Sequence, residues 1–221
     1  MVLLKLENIS KTFSTDGTPL RILDKINLEI KKGEFVAIMG PSGSGKSTLM
    51  YIMGLLDTPT EGKVYLEDKN VSGLSEEELA KVRNQKIGFV FQTYNLLART
   101  SALANIFLPI IYSNISRKVG EKTALDLLEK VGLLARKDHF PNQLSGGEQQ
   151  RIAIARALVT KPSLILADEP TGNLDSRSGK EIMEILKKLH KEGNTIVIVT
   201  HDATVAKYAQ KIIRIQDGKI I

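Results

Sequence analysis

Between positions 40 and 48 the chain reads Gly40-Pro41-Ser42-Gly43-Ser44-Gly45-Lys46-Ser47-Thr48. Glycines let consecutive backbone N–H groups curl around an anion. A lysine and a hydroxyl residue at the end of such a run suit a nucleoside triphosphate: the ammonium can reach the β- and γ-phosphates, and the Ser47 hydroxyl can ligate Mg²⁺. The apolar run Phe35–Met39 precedes the motif and a helix-compatible stretch, 46–55, follows it. The phosphates would therefore meet a helix N-terminus, where the backbone dipole favours negative charge. Strand, glycine loop and helix in that order predict an ATP site.

Leu164-Ile165-Leu166-Ala167 leads directly into Asp168 and Glu169. An apolar run ending in two acids has the pattern of a buried strand whose carboxyl end opens onto a ligand crevice. Adjacent carboxylates can divide two tasks. Asp168 can hold Mg²⁺ and its water shell, and Glu169 can polarise the water that attacks the γ-phosphate. Alone the pair would read as a solvated strand end; beside the phosphate loop it completes a hydrolytic site.

Those side chains need a scaffold. Ile22, Ile26, Leu28 and Ile30 recur in near alternation, with a polar turn expected at Asp16 to Pro19, so the chain should open as an antiparallel sheet. Compact apolar runs at 87–91, 164–167 and 195–199, with a helical pattern over 178–190 before the last, read as a mostly parallel sheet covered by helices. No core strand is visible over 93–141; helical patterns near 103–111 and 119–131 predict an inserted helical subdomain. Ser75 and Glu78 form a capping box for a short helix, and Asp217-Gly218 is a hairpin turn between 212–215 and 219–221. The expected fold class is α/β, one domain over 1–221: a phosphate-loop NTPase core with a mostly parallel sheet, an N-terminal antiparallel β-subdomain and the inserted helices.

Composition bounds what else the chain can do. With 221 residues, 42% of them hydrophobic, it can bury a core without staples. No cysteine is present, which excludes disulfides, thiolate metal sites and a cysteine nucleophile, and three histidines cannot build a rich metal site. The net charge of +6 is spread as 31 basic residues among 25 acidic ones, so no nucleic-acid partner is expected. The longest mostly apolar stretch, 106–112, falls far short of the roughly 20 residues of a membrane span. The N-terminus also lacks the apolar core of a signal peptide, and any link to a membrane should come through a partner.

Leu144-Ser145-Gly146-Gly147-Glu148-Gln149-Gln150-Arg151 opens a helical run over 148–158. A serine and two glycines there make either a second anion-binding helix N-terminus or an ordinary N-cap. This run resembles the signature motif of ATP-binding-cassette proteins, and the resemblance continues through Arg156 and over essentially the whole chain. It implies that Phe13 stacks on adenine, as phenylalanine where the family more often has tyrosine. Gln92 matches the glutamine that senses Mg²⁺ and water and joins the helical subdomain to the sheet. His201 matches the histidine that contacts the γ-phosphate and helps position the water. Asp175 matches the loop aspartate that links two nucleotide sites across a dimer, with Asn173 where many members carry a smaller residue. His139 and His190 match no motif and read as surface or helix-end residues.

The catalytic set implied is Lys46, Gln92, Glu169 and His201, with Ser47, Gln92 and Asp168 around Mg²⁺ and ATP as the nucleotide. In this family each nucleotide lies between one chain's phosphate loop and the other's signature motif. The resemblance therefore implies a head-to-tail homodimer that ATP closes and hydrolysis loosens. It also implies a permease subunit or domain that holds this motor at the cytoplasmic face of the cell membrane. The segments 87–92, 94–97, 144–151 and 167–175 most resemble the macrolide-exporter and lipoprotein-releasing branch, which exports or extracts peptides, drugs or lipoproteins. An ATPase regulating a non-transporting membrane complex, as in cell division, would share the motor. A soluble DNA-repair or translation cassette would carry a coiled-coil insert or a second cassette, and this sequence has neither.

Overall fold

Along the chain follow β1 (Val2–Thr15), β2 (Thr18–Lys31), β3 (Phe35–Met39), α1 (Lys46–Met53), β4 (Glu61–Leu66) and β5 (Lys69–Asn70). Next come α2 (Glu76–Lys86), β6 (Ile87–Val90), α3 (Ala102–Ile111), α4 (Arg117–Lys130) and α5 (Gly146–Leu158). The elements end with β7 (Leu164–Asp168), α6 (Ser176–Lys191), β8 (Thr195–Thr200), α7 (Ala203–Ala206), β9 (Lys211–Gln216) and β10 (Lys219–Ile220). The structure, a computed structural model, describes residues 1–15 and 18–221; Asp16 and Gly17, part of the expected polar turn, lie outside the described residues.

Near-alternating apolar residues build the first sheet. Leu4, Leu6 and Ile9 of β1 and Leu23, Ile26, Leu28 and Ile30 of β2 are buried, and the strands pair antiparallel with Leu6 opposite Leu28 and Ile9 opposite Ile26. β4 and β5 extend this sheet in the order β2-β1-β4-β5. Their hairpin was not foreseen. Its turn positions are Glu67 and Asp68, both left-handed at φ 50° and 61°, where Asn-Gly is the usual signal.

The second sheet has the order β10-β9-β3-β8-β7-β6 and is parallel except for β10, which returns on β9 through Asp217 and Gly218. Its central strands are mostly apolar because both faces are covered. Val36, Ile38, Leu164, Leu166, Val197 and Val199 face α1 and the first sheet, while Phe35, Ala37, Ile165, Ala167, Ile196 and Ile198 face α5 and α6.

Helices α3 and α4 share a separate core, in which Ile106, Ile110, Ala124 and Leu128 pack with Leu144, Ile152, Ala155 and Val159. Helix α5 contributes to two cores: Ile152 and Ala155 face α3 and α4, and Ile154 and Leu158 face the sheet. The packing unit of the inserted helices thus reaches past Pro141 into α5.

Candidate active site

In the parallel sheet β3, β8 and β7 are neighbours, so the loops leaving their carboxyl ends are neighbours too. They border a cleft of about 790 Å³, lined by Phe13, Ile22, Pro41, Ser42, Gly43, Gly45, Lys46, Ser47, Thr48, Asp168, Glu169, Val199 and His201. The residues expected to bind phosphate and the residues expected to act on water therefore meet in one place, although more than a hundred positions separate them in sequence.

The glycine loop is shaped by what surrounds it. A Cβ on Gly40 would run into the Ile215 carbonyl and come within 2.6 Å of Ser44 Oγ. Gly45 adopts φ 97° as the residue before α1, and a Cβ there would sit 2.8 Å from Leu23 Cδ2. Only glycine fits a left-handed position this crowded. The first turn of α1 carries no acidic side chain and no side-chain cap, which leaves its N–H groups for an anion. Ser44 Oγ is buried without a hydrogen-bond partner. Lys46 Nζ donates to the carbonyls of Gly40 at 2.9 Å and Pro41 at 2.7 Å, so its charge is held at the loop.

Across the cleft, burial pushes the Asp168 carboxyl above the usual carboxylate range; the nearby Glu169 charge adds to this and Lys46 opposes it. Glu169 lies at φ 41°, a left-handed backbone uncommon for a non-glycine residue and of the kind that clusters at functional sites. Its N–H donates to the Val199 carbonyl at 2.9 Å, which fixes the turn against β8. Its Oε2 accepts from Thr200 Oγ1 at 3.0 Å, and its Oε1 accepts from the His201 N–H at 3.0 Å. His201 Nδ1 lies 2.7 Å from the same Oε1. An ionised carboxylate only accepts hydrogen bonds, so this contact assigns the ring proton to Nδ1. At the far end, Phe13 is 43% exposed, with Lys11 Nζ 4.9 Å from its ring centroid. Lys11 is itself anchored by Asp57 Oδ1 at 2.6 Å and the Thr58 carbonyl at 2.7 Å.

Several expected site residues stand apart from this cleft. Gln92 does not line it; its side chain is bonded to Asn173. Leu144, Ser145, Gly146, Gly147 and Glu148 do not line it either. Leu144 is buried in the helical core, and Ser145 forms a full capping box on α5: its Oγ accepts from the Glu148 N–H at 3.3 Å, and Glu148 Oε2 accepts from the Ser145 N–H at 2.8 Å. That backbone donor, with the Ser145 hydroxyl, holds the Glu148 carboxyl below its ordinary range. Asp175 caps α6, accepting from the N–H groups of Arg177 and Ser178 at 3.0 Å and from Ser178 Oγ at 2.6 Å. His139 contacts Arg136, and His190 Nε2 lies 2.9 Å from the Gly33 carbonyl, both away from the cleft.

Sequence reasoning missed Thr200, which reads as an ordinary β-branched strand residue, and the supports of the Gln92 loop. Arg156 Nη2 donates to the Tyr94 carbonyl at 2.8 Å, and the buried Gln150 donates to the carbonyls of Pro170 at 2.7 Å and Phe91 at 3.3 Å. A second groove, about 640 Å³, lies beside this loop between α2, β6, α3 and α5, with Leu56, Phe89, Phe91, Leu108 and Tyr112 along it.

A family model described as ABC transporter matches residues 23–172. The macrolide export ATP-binding/permease protein MacB of Campylobacter fetus is 53% identical over 219 residues, covering 99% of this chain and 34% of that protein. The chain thus spans about a third of the length of the curated relatives it first matches. An uncharacterized ABC transporter ATP-binding protein of Thermotoga maritima is 51% identical over 217 residues, covering 98% of this chain and 93% of that protein. A solved dimeric structure of a post-hydrolysis state of the ATP-binding cassette MJ0796 of Methanocaldococcus jannaschii, bound to ADP and Pi, matches with a TM-score of 0.90 at 48% identity, over 99% of this chain and 96% of that one. The matched region carries the glycine loop, the motif at 144–151 and the acids Asp168 and Glu169, and the chain therefore belongs to the ABC transporter family, as an ATPase cassette.

Proposed function

We propose that this cassette hydrolyses MgATP in the cleft between the glycine loop and Glu169, and that two copies close head to tail on the nucleotides to drive a membrane permease. The observation that carries the reading is the convergence of Lys46, Asp168 and Glu169 on one cleft at the carboxyl ends of parallel strands. The uncapped, acid-free start of α1 and the orphaned Ser44 hydroxyl suit a polyphosphate. Asp168 and the exposed Ser47 border the same space, and among the described residues no cluster of three or more His, Cys, Asp or Glu could cage a metal. Such a donor set fits Mg²⁺ held largely by phosphates and water. Bound there, Mg²⁺ would neutralise charge developing on the phosphates.

The residues then divide the work. Lys46 leaves the Gly40 and Pro41 carbonyls for the phosphate oxygens, and Phe13 stacks on the adenine ring. Glu169 accepts the proton of the attacking water, oriented by Thr200 and His201. Ser145 and the start of α5 lie off the cleft of their own chain, which supports their serving the nucleotide of a second copy, with Asp175 near the junction. The MJ0796 cassette, solved as a dimer bound to ADP and Pi, supports an assembly of two copies.

Among the described residues no helix is long and apolar enough to cross a membrane, so a permease subunit or domain is needed for transport. The groove beside the Gln92 loop is the docking place we assign to it. Its apolar lining is continuous with Phe91, and MacB relatives join an ATP-binding and a permease part in one protein. Residues 93–141, together with α5, would pass the movement to it at the cytoplasmic face. Export of a drug, peptide or lipoprotein is the work this reading assigns, guided by the macrolide-export name of those relatives. Phosphate release by the purified protein should require Mg²⁺ and fall at least about a hundredfold in Lys46→Ala, because positioning and charge compensation supply most phosphoryl-transfer catalysis. Normal turnover in that variant would remove the glycine loop from the active site and sink the reading.

A further inference from the structure

Asn173 holds Gln92 twice, once by the Gln92 side-chain amide and once by the Gln92 backbone carbonyl. Gln92 Nε2 donates to Asn173 Oδ1 at 3.1 Å, and Asn173 Nδ2 donates to the Gln92 carbonyl at 3.1 Å. A Cβ on Gly172 would lie 2.7 Å from Gln92 Nε2, so the amide rests against the backbone of that loop. The loops themselves are tied at other points, by Tyr94 OH donating to the Asn173 carbonyl at 3.4 Å and by Gln150 bridging Phe91 and Pro170. Those ties, and the bond from Asn173 Nδ2, hold backbone; among the described residues only Asn173 Oδ1 accepts from the Gln92 side chain. An alanine at 173 could make neither side-chain bond.

Resting on the reading above, in which Gln92 meets the metal and water in the cleft, we propose that Asn173 is a positioning residue that holds the Gln92 amide outside the cleft, so that MgATP must break this contact before Gln92 can engage. The contact is solvent-exposed, which puts the one hydrogen bond that holds the Gln92 side chain at the weak end of its range, worth about two- to threefold in the balance between the two positions of Gln92. A ligand that needs the released position loses apparent affinity by the same factor. Asn173 thus sets the threshold at which MgATP recruits Gln92, and the loop anchors through Arg156 and Gln150 stay in place while the side chain swings.

The test is Mg²⁺-dependent binding of a fluorescent ATP analogue to the full chain, with binding in EDTA as the reference for the glycine loop alone. Asn173→Ala should tighten the Mg²⁺-dependent part about two- to threefold and leave binding in EDTA unchanged. Asn173→Leu, similar in volume but without hydrogen bonds, should do the same, and it carries the test if the alanine variant folds poorly. In a Gln92→Ala background the bond to the backbone carbonyl persists but no amide remains to release, so neither substitution should tighten Mg²⁺-dependent binding. A merely structural role for Asn173 has the opposite signature: weaker binding, equally in both backgrounds. That result, or unchanged affinity in Asn173→Ala and Asn173→Leu, overturns the latch alone, whereas wild-type protein that binds no nucleotide overturns the proposed function and the latch with it.

Discussion

Glu169 Oε1 receives both hydrogen bonds that His201 offers it, from the backbone N–H at 3.0 Å and from the ring Nδ1 at 2.7 Å. Thr200 Oγ1 holds the other oxygen at 3.0 Å. The carboxylate is thereby oriented by the end of β8 and the residue after it, and Glu169 lines the cleft.

Glu169→Gln should bind ATP and hydrolyse it roughly 10²- to 10⁴-fold more slowly, because an amide keeps the shape of the side chain but cannot take a proton from water. Single-turnover phosphate release, run beside an ATP-binding titration, separates the two steps. Full turnover in Glu169→Gln would require a different base.

Phe13 shows a different kind of dependence. Lys11, pinned by Asp57 and Thr58, stands against the ring but does not line the cleft, while Phe13 does. If adenine stacks on the ring, Phe13→Ala should weaken ATP binding about fivefold, or about 1 kcal/mol, and Phe13→Tyr should preserve it. Competition by inorganic triphosphate, which has no base, should be the same in all three proteins. Unchanged ATP affinity in a well-folded Phe13→Ala would leave the residue a surface aromatic.

The glycine loop and the acids at 168 and 169 were legible from sequence because their chemistry is local: each lies at the end of an apolar run that only a strand covered on both faces explains. The β4–β5 hairpin was not, since its left-handed turn is made by Glu67 and Asp68 rather than by residues that favour that backbone. The position of Gln92 depends on a side chain 81 residues away, and no local pattern records such a contact. Asn105 makes the same point from inside the helical core. It is fully buried, with Oδ1 accepting from the Leu97 N–H and Nδ2 donating to the carbonyls of Leu97, Thr100 and Ser101, and it holds the backbone from Leu97 to Ser101 through contacts that no local pattern records.

Asp175 provides a test by pH. The Ser178 hydroxyl, more than any other group, holds its carboxyl below the ordinary value of 3.8. A depressed folded value means that the charge contributes stability fully above the unfolded value, and that this contribution is lost as pH falls through the folded one. Asp175→Asn can still cap α6 through its side-chain oxygen but carries no charge. The wild type should therefore melt at the higher temperature from about pH 7 to pH 5, with the difference shrinking below about pH 4. A difference that stays constant through that acid range would show that the charge is not what Asp175 contributes.

Ser145 tests the head-to-tail dimer, and its capping role dictates the control. Its hydroxyl accepts from the Glu148 N–H and donates to Glu148 Oε2, so replacement by Ala or Arg also removes an N-cap, at a cost of about 1 kcal/mol. In a Glu169→Gln background, where bound ATP should persist, size-exclusion chromatography with light scattering should find a dimer with ATP and a monomer with ADP. Ser145→Ala in that background loses the cap without adding bulk and should still dimerise. Ser145→Arg loses the cap and fills the space in front of α5, and it should stay monomeric with ATP while binding nucleotide at its own glycine loop. A dimer that survives Ser145→Arg would mean that the signature motif does not hold the partner's nucleotide.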